Sequence, residues 1–352
     1  MQRLRRSDVS ASGLRRTRRG KKWCYLGADG SQICDPALIA RIDALVIPPA
    51  WADVWISPHD NGHIQAVGTD AAGRRQYLYH PQWRVERDRA KFDRVLTVAE
   101  RLPEVRREVD AALRSDGLTR ERVLAATVRL LDLGFFRIGS EEYAESNHTY
   151  GLATIRKDHV AVGRDGLLTF DYVAKHGKQR IQTVADDQVC SVVSALKRRR
   201  GGGAELLAYR GARNAWSDIR SPEINDHLRR LFGMECSAKD FRTWHGTVLA
   251  AVGLAVSLPA STSPSTRKRA VARTVKEVSV YLGNTPAVCR ASYIDPRVID
   301  LYDDGLTIVD DLDDLGVGTP VGSLATHGPI EQAVLSLLTK PRAVRRAHAR
   351  AG

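Results

Sequence analysis

The sequence predicts an α+β protein in two parts, a small β-rich N-terminal domain and a larger, mainly helical domain. Three observations predict this. Between residues 23 and 90, short β-branched and aromatic runs are bounded by turn signals such as Asp60-Asn61-Gly62 and Ala72-Gly73. From about Phe92 onward, apolar residues recur at helical spacing with recognisable caps. The chain has 352 residues, 43% of them hydrophobic, which suits two or three domains and excludes a wholly disordered one.

The elements follow in chain order. Residues 1–22 hold nine Arg or Lys and one Asp, and read either as an arm along a phosphate backbone or as a solvated tail. In the β-rich part, Trp51, Val54, Trp55, Ile56, Val67, Tyr77, Tyr79 and Trp83 read as core, with Gln76 facing outward from an alternating strand. Arg101–Ala112 and Thr119–Leu133 are expected helices, with Gly134 as a stop. Helix resumes at 141–147. A three-stranded patch is expected at 151–156, 167–175 and 179–184, turning at His176-Gly177. Gln188–Arg199 is the next helix. Ser237 and Asp240 then form a capping-box pattern that opens a largely apolar helix to about Ser257. A Ser/Thr/Pro-rich loop to Lys268 precedes a helix over 270–282, which stops at Gly283. Thr285-Pro286 reads as an N-cap and first helical position for a short helix carrying Arg290 and Tyr293. The boundaries expected are 1–22 (basic arm), 23–90 (β-rich domain), 91–335 (helical domain) and 336–352 (basic tail).

Charge narrows the function. There are 54 Lys and Arg against 41 Asp and Glu, a net charge of +13, which favours a polyanionic partner. The five cysteines are scattered and form no CxxC pair, so neither a disulfide scaffold nor a cysteine zinc site is expected. No apolar run approaches the roughly 20 residues that span a bilayer. The basic N-terminus lacks a hydrophobic signal core. A cytoplasmic protein without membrane contact is expected.

Several chemistries lack their motifs. There is no phosphate-binding GxxxxGK[ST] loop and no HExxH helix, and Gly201–Gly203 lacks the context of a dinucleotide site. No cofactor is expected. The aspartates at 310–314 read as a solvated acidic loop rather than a cation site. What remains is a cationic set and a tyrosine: Arg137 after two phenylalanines, Lys175 at a hairpin tip, Arg242 early on its helix, and Tyr293. Each alone suits a salt bridge or a core phenol. Together they suit phosphoryl transfer. A tyrosine can attack a phosphodiester and hold it covalently. Guanidinium forks can neutralise the transition state, and a lysine can protonate the leaving oxygen. An ordinary phenol titrates at about 10, so the cations must assist its attack.

The strings Gln76–His80, Phe135–Gly139, Thr149–Leu152, Lys239–Trp244 and Leu282–Tyr293, in this order and spacing, resemble the type IB DNA topoisomerases, most closely the short bacterial and poxvirus-like branch. The likeness spans about residues 20 to 330. It implies two domains that close as a clamp around duplex DNA. It also implies a 3′-phosphotyrosyl intermediate, swivelling and religation, without ATP or metal. By motif it makes Arg137 and Arg242 the transition-state arginines and Tyr293 the nucleophile. At the hairpin, family members usually have glycine-lysine; here the string is Ala174-Lys175, with Lys178 nearby. Lys175 is the favoured general acid and Lys178 a phosphate contact. Many members have a histidine nine residues before the tyrosine, where this chain has Asn284, a change that the shorter bacterial members share. Asparagine donates a hydrogen bond but carries no charge. His245 is expected to pack near Arg242 without replacing that histidine.

Candidate DNA contacts are Gln76, Tyr77, Lys178, Arg220, Lys239 and Arg290, with Asn225 expected to cap a turn. The expected partner is double-stranded DNA and the expected state a monomer. A tyrosine recombinase is the nearest alternative, but Lys239 stands where a recombinase-like His-x-x-Arg would need histidine. A basic architectural DNA-binding protein is the other; it would leave the tyrosine unexplained.

Overall fold

The densest basic part of the expected N-terminal arm is largely strand. In the computed structural model, which describes residues 3–20, 22–211, 214–315 and 324–340, the run Leu14–Arg19 forms β1 and pairs antiparallel with Lys22–Leu26 (β2). The reason lies in Leu14 and Arg16. Leu14 is buried. Arg16 donates to the carbonyls of Ile47, Pro48 and Trp51 at 2.8–2.9 Å and lies 4.1 Å over the Trp23 ring. It serves as a cap for the 47–51 loop, not as part of a free arm. Lys21 of the basic run lies outside the described residues.

Residues 1–92 form one compact unit and residues 93–352 a second. In the first, a helix that sequence periodicity missed, Pro36–Asp43 (α1), starts at the Asp35 cap. The strands Ala52–Ile56 (β3), Ile64–Thr69 (β4) and Arg75–Tyr79 (β5) complete a five-stranded antiparallel sheet in the order β2-β1-β3-β4-β5. Leu14, Tyr25, Ile42, Val54, Ile56 and Ala66 make its core.

The alternation on β5 is the reverse of the expected one. Gln76 is half-buried and donates to Asp70 Oδ2 at 2.9 Å, while Tyr77 and Tyr79 face outward at 39% and 40% exposure. Their rings stack with centroids 6.0 Å apart. These two aromatics are therefore surface, not core.

Pro81–Leu113 (α2) is one long helix that contains the expected 101–112 segment. Arg120–Gly134 (α3) starts at the Thr119 cap, and Phe135, not Gly134, takes the left-handed cap conformation at φ 53°. Glu141–Asn147 (α4) follows. The segment read as a strand at 151–156 is a 3₁₀ turn, Leu152–Thr154; the third strand is instead Val160–Val162 (β6). It flanks Leu167–Ala174 (β7), which pairs with Lys178–Ala185 (β8). Leu168, Phe170 and Tyr172 point inward as the alternation required.

Asp187–Arg198 (α5), the short hairpin Ala208–Arg210 (β9) and Trp216–Asp218 (β10), and Ser221–Phe232 (α6) lead to the central helix, Ala238–Ser257 (α7). Phe241, Trp244, Val248 and Leu254 of α7 are buried, each contributing about 1.5–3 kcal/mol. Pro264–Leu282 (α8) begins six residues earlier than expected, because Ser263 caps it and Pro264 fits its first turn. Pro286–Ser292 (α9), Pro296–Asp303 (α10), a 3₁₀ turn at Val309–Asp314 and Pro329–Thr339 (α11) complete the unit. The acidic stretch from Asp300 is thus helical at both ends. Arg342, Arg345, Arg346 and Arg350 lie outside the described residues. No helix among the described residues is long and apolar enough to cross a membrane.

Candidate active site

Arg137 is set by two anchors in the chain before it and one after. Phe136 is fully buried, with its ring edge-on to Phe170 at 4.9 Å. A side chain at Gly134 would place its Cβ 2.1 Å from the Phe136 ring, so the close turn requires glycine there. Beyond Arg137, Gly139 (φ +81°) crosses Gly151 so closely that a Cβ on Gly139 would lie 2.9 Å from the Gly151 backbone. The amides of Leu152 and Ala153 donate at 2.8 Å to the carbonyls of Arg137 and Ile138. The glycines of the strings at 135–139 and 149–152 thus meet, and Arg137 is pinned between them.

Arg242 is set by the start of α7. Ser237 and Asp240 form the reciprocal cap that the sequence indicated, with the Ser237 amide donating to Asp240 Oδ2 at 2.8 Å. Arg94 pairs with the other oxygen of Asp240 at 2.9 Å, and Asn225 accepts from the Ala238 amide at 3.2 Å. Lys239 then faces out and Arg242, three residues on, faces in. Arg242 is 3% exposed and donates to the carbonyls of Phe135 and Leu282. Its Nε has no hydrogen-bond partner. Burial pushes its guanidinium down to about 10, Tyr293 opposing and Arg137 adding to the effect.

Tyr293 ends α9, where Thr285 caps and Pro286 opens the helix as expected. Cys289 and Ile294 are fully buried on either side of it. Its carbonyl lies against Gly246, where a Cβ would approach to 2.7 Å. Its ring lies under two cations, Arg242 at 5.1 Å and Lys239 at 5.6 Å from the centroid.

One cleft of about 350 Å³ is lined by Arg137, Lys175, Lys239, Arg242 and Tyr293, with Tyr150 at its wall. Asn284 is not among its lining residues. The Asn284 side-chain oxygen accepts from Arg137, which also donates to Gly283 O at 2.8 Å. A guanidinium only donates, so the atom facing it is the oxygen. That leaves Asn284 Nδ2, which is buried, without a partner. Ala174 has φ −94°, a conformation open to any residue, so the hairpin needs no glycine there. Lys178 is exposed at the start of β8 and does not line this cleft.

The other candidates are dispersed. Gln76 and Tyr77 belong to the first unit. Arg220 precedes α6 and lines a separate cleft with Glu141 and Asp218. Arg290 is exposed and lines a third, beside Arg267 and Lys268.

His245 faces away from the cleft. Its Nε2 meets Asp132 Oδ1 at 3.1 Å, and His327 Nε2 lies 3.8 Å from the same oxygen. Among the described residues, these three form the one group whose ligand atoms are close enough to hold a metal ion. However, Asp132 is already forked to Arg106 at 2.8 and 3.0 Å, and Arg106 also pairs with Glu331. A second buried cation there would face the guanidinium directly. We read the cluster as a charge network. Burial pushes the Asp132 carboxyl up, but Arg106 and the two histidines outweigh it and hold it well below the carboxylate range. Glu331 also accepts from Trp244 Nε1 at 2.8 Å, tying α11 to α7.

Sequence reading missed Arg180. It sits on the inward-alternating face of β8 with Gln182 and Val184, and a cation on that face is a signal that it has partners.

The chain is similar to known proteins over most of its length. Residues 80–306 match the family described as eukaryotic DNA topoisomerase I, catalytic core, and residues 22–70 match the bacterial DNA topoisomerase IB N-terminal domain. DNA topoisomerase 1B of Acanthamoeba polyphaga mimivirus is 27% identical over 297 residues, covering 82% of this chain and 87% of that protein. DNA topoisomerase 1B of Vaccinia virus (strain Copenhagen) is 22% identical over 247 residues, covering 68% and 72%. With its small N-terminal β-sheet, its larger helical unit and a match over well over half its length, the chain belongs to the type IB DNA topoisomerases.

Proposed function

We propose that this protein relaxes supercoiled duplex DNA by transient cleavage of one strand, with Tyr293 as nucleophile. The observation that carries the reading is the shared cleft of Arg137, Lys175, Arg242 and Tyr293. Tyr293 Oη, giving up its proton to solvent with the neighbouring cations favouring the phenolate, attacks a backbone phosphorus. The bond to the 5′-oxygen breaks, leaving a 3′-phosphotyrosyl link and a free 5′-hydroxyl. Arg137 and Arg242 neutralise the charge that grows on the nonbridging oxygens. Lys175 gives its proton to the departing 5′-oxygen, and takes it back when that hydroxyl reseals the strand. Lys175 suits this role better than Lys178, which lies outside the cleft. The unpartnered Asn284 Nδ2 supplies a neutral donor where other members have histidine. Guanidinium groups carry the electrostatic work, and the phosphotyrosine conserves the bond energy, so the cycle needs neither metal nor ATP.

The duplex is held by backbone contacts from Lys239, Lys178, Arg220 and Arg290, and by Gln76 and Tyr77 of the first unit, the two units closing as a clamp. The protein acts as a cytoplasmic monomer on the nucleoid, since one clamp and one tyrosine complete a single-strand break. The test is relaxation of negatively supercoiled plasmid with EDTA and without ATP, wild type beside Tyr293→Phe. Relaxation by wild type alone supports the mechanism. Relaxation by the phenylalanine variant removes Tyr293 as nucleophile. Failure of both, despite tight binding, points to a site-specific recombinase or an architectural protein.

A further inference from the structure

The last carbonyls of a helix have no partner within it and must find one elsewhere. At the end of α8 every one is taken, and three arginines do most of it. Ser279 O accepts from the Asn284 amide at 2.9 Å, and Val280 O from the Gly283 amide at 3.0 Å. Arg180 donates to Val280 O at 3.1 Å and also to Tyr281 O. Leu282 O accepts from Arg242 at 2.7 Å and Gly283 O from Arg137 at 2.8 Å. Two of these three guanidiniums line the cleft with Tyr293; Arg180 does not.

Three like charges gather here because the negative end of a 19-residue helix attracts them. Arg137 rests on Gly283 and Asn284, which only Leu282 separates from the two residues that Arg180 grips. Gly283 has φ +61°, and a Cβ there would lie 3.3 Å from the Arg180 guanidinium. The turn is therefore packed directly against Arg180. Burial pushes the Arg180 guanidinium down, with Tyr172 opposing and Arg137 adding to the shift.

We propose that Arg180 is a positioning residue for strand cleavage: by gripping the carbonyls of Val280 and Tyr281 it fixes the Gly283–Asn284 turn on which Arg137 rests. The inference rests on the cleavage chemistry proposed above. It assigns Arg180 no contact with DNA. Its effect passes through Arg137, so it appears in the rate of cleavage and not in duplex affinity.

The experiment is a double-mutant cycle on full-length protein. Single-turnover formation of the covalent adduct on a labelled duplex is measured for wild type, Arg180→Met, Arg137→Ala and the double variant. Duplex Kd is measured in parallel. A misplacement of about 1 Å lowers a rate on the order of 100-fold, so Arg180→Met should cleave roughly 10–100-fold more slowly. Its duplex Kd should change less than about twofold, and the double variant should be no slower than Arg137→Ala alone. Losses that multiply in the double variant overturn the proposal, as does full-rate cleavage by Arg180→Met. An equal loss of affinity and rate also overturns it, by making Arg180 a phosphate contact. If Arg180→Met does not fold, Arg180→Lys, which keeps one charge at the helix end, takes its place in the same cycle. Wild type that forms no adduct overturns the cleavage reading as well, whereas a fast Arg180→Met beside an active wild type overturns only the role of Arg180.

Discussion

Replacing Arg106 by methionine should destabilise the helical unit severely, and the loss should shrink as the pH is lowered. Arg106 lies between Asp132, 2% exposed, and Glu331, 6% exposed, and bonds both. Methionine fills most of the same volume but leaves two buried carboxylates facing each other. Breaking a buried pair in this way costs about 3–5 kcal/mol. For a unit of this size each kcal/mol moves Tm by about 3 °C, so the fall should be about 9–15 °C at pH 7.5. The sign of the pH effect separates this account from simple loss of packing. In the wild type both carboxylates lie below their ordinary values, despite burial, because Arg106 holds them there with the two histidines adding to it. Their contribution is present above their unfolded values near 4 and is lost only as the pH falls through the folded ones. It is therefore intact at pH 5. Without Arg106, burial and the facing carboxylates are opposed by the two histidines alone, so both groups rise and the folded variant gains protons and stability on going from pH 7.5 to 5. His227, pushed by burial down to about 4, weakens both proteins over that range, so the difference in Tm is the quantity to follow; His327, pushed by burial down to about 4 with Arg106 adding to the effect, takes a proton more readily once that guanidinium is gone, which narrows the difference in the same direction. Scanning calorimetry at the two pH values reads it. A Tm difference that stays constant or widens at pH 5 would refute the reasoning.

Four further outcomes are expected. Lys175→Ala should slow cleavage on the order of 10²–10⁴-fold, and a sulfur leaving group, which needs no proton, should restore most of the rate; Lys178→Ala should alter binding and leave the cleavage rate near wild type. Asn284→Ala should slow cleavage, while Asn284→His should keep or raise it; single-turnover adduct formation reads both, and an inactive histidine variant would remove Asn284 from the phosphate-binding set. Gly139→Ala must hold a strained positive φ against Gly151, losing about 1–3 kcal/mol by denaturant melts and misplacing Arg137. Duplex binding should weaken linearly in log Kd against log salt, and Lys239→Ala should flatten that slope by about one.

Where local physics decides the structure, the sequence shows it. The Ser237–Asp240 cap, the Thr285-Pro286 helix start and the inward face of β7 all depend on neighbours within a few residues, and the structure has them. The site arginines were legible for a different reason, because their strings resemble a known family. The misread segments each depend on distant partners. Arg16 looks like part of a charged tail until the carbonyls of the 47–51 loop appear beside it. Gln76 looks outward-facing until Asp70 binds it from the preceding turn. The segment at 151–156 is bent by the crossing of two glycines twelve residues apart. Arg180 shows only as a cation on an inward face; its partners lie about 100 residues away, across the unit.

The ties between α11 and α7 also set an order of events during synthesis. Arg137 and Arg242 leave the ribosome before Tyr293, and Glu331, which holds Arg106 and Trp244, is made after it. At ordinary elongation rates that interval is roughly 2–8 s. On the proposed reaction, a growing chain gains the Leu282 and Gly283 carbonyls that hold Arg242 and Arg137 only shortly before its nucleophile, and owns the nucleophile before the helix carrying Arg242 is locked from behind. Cutting and resealing use the same residues, so both abilities arrive together. On the proposed reaction, a half-made molecule can sit on DNA but cannot leave it broken.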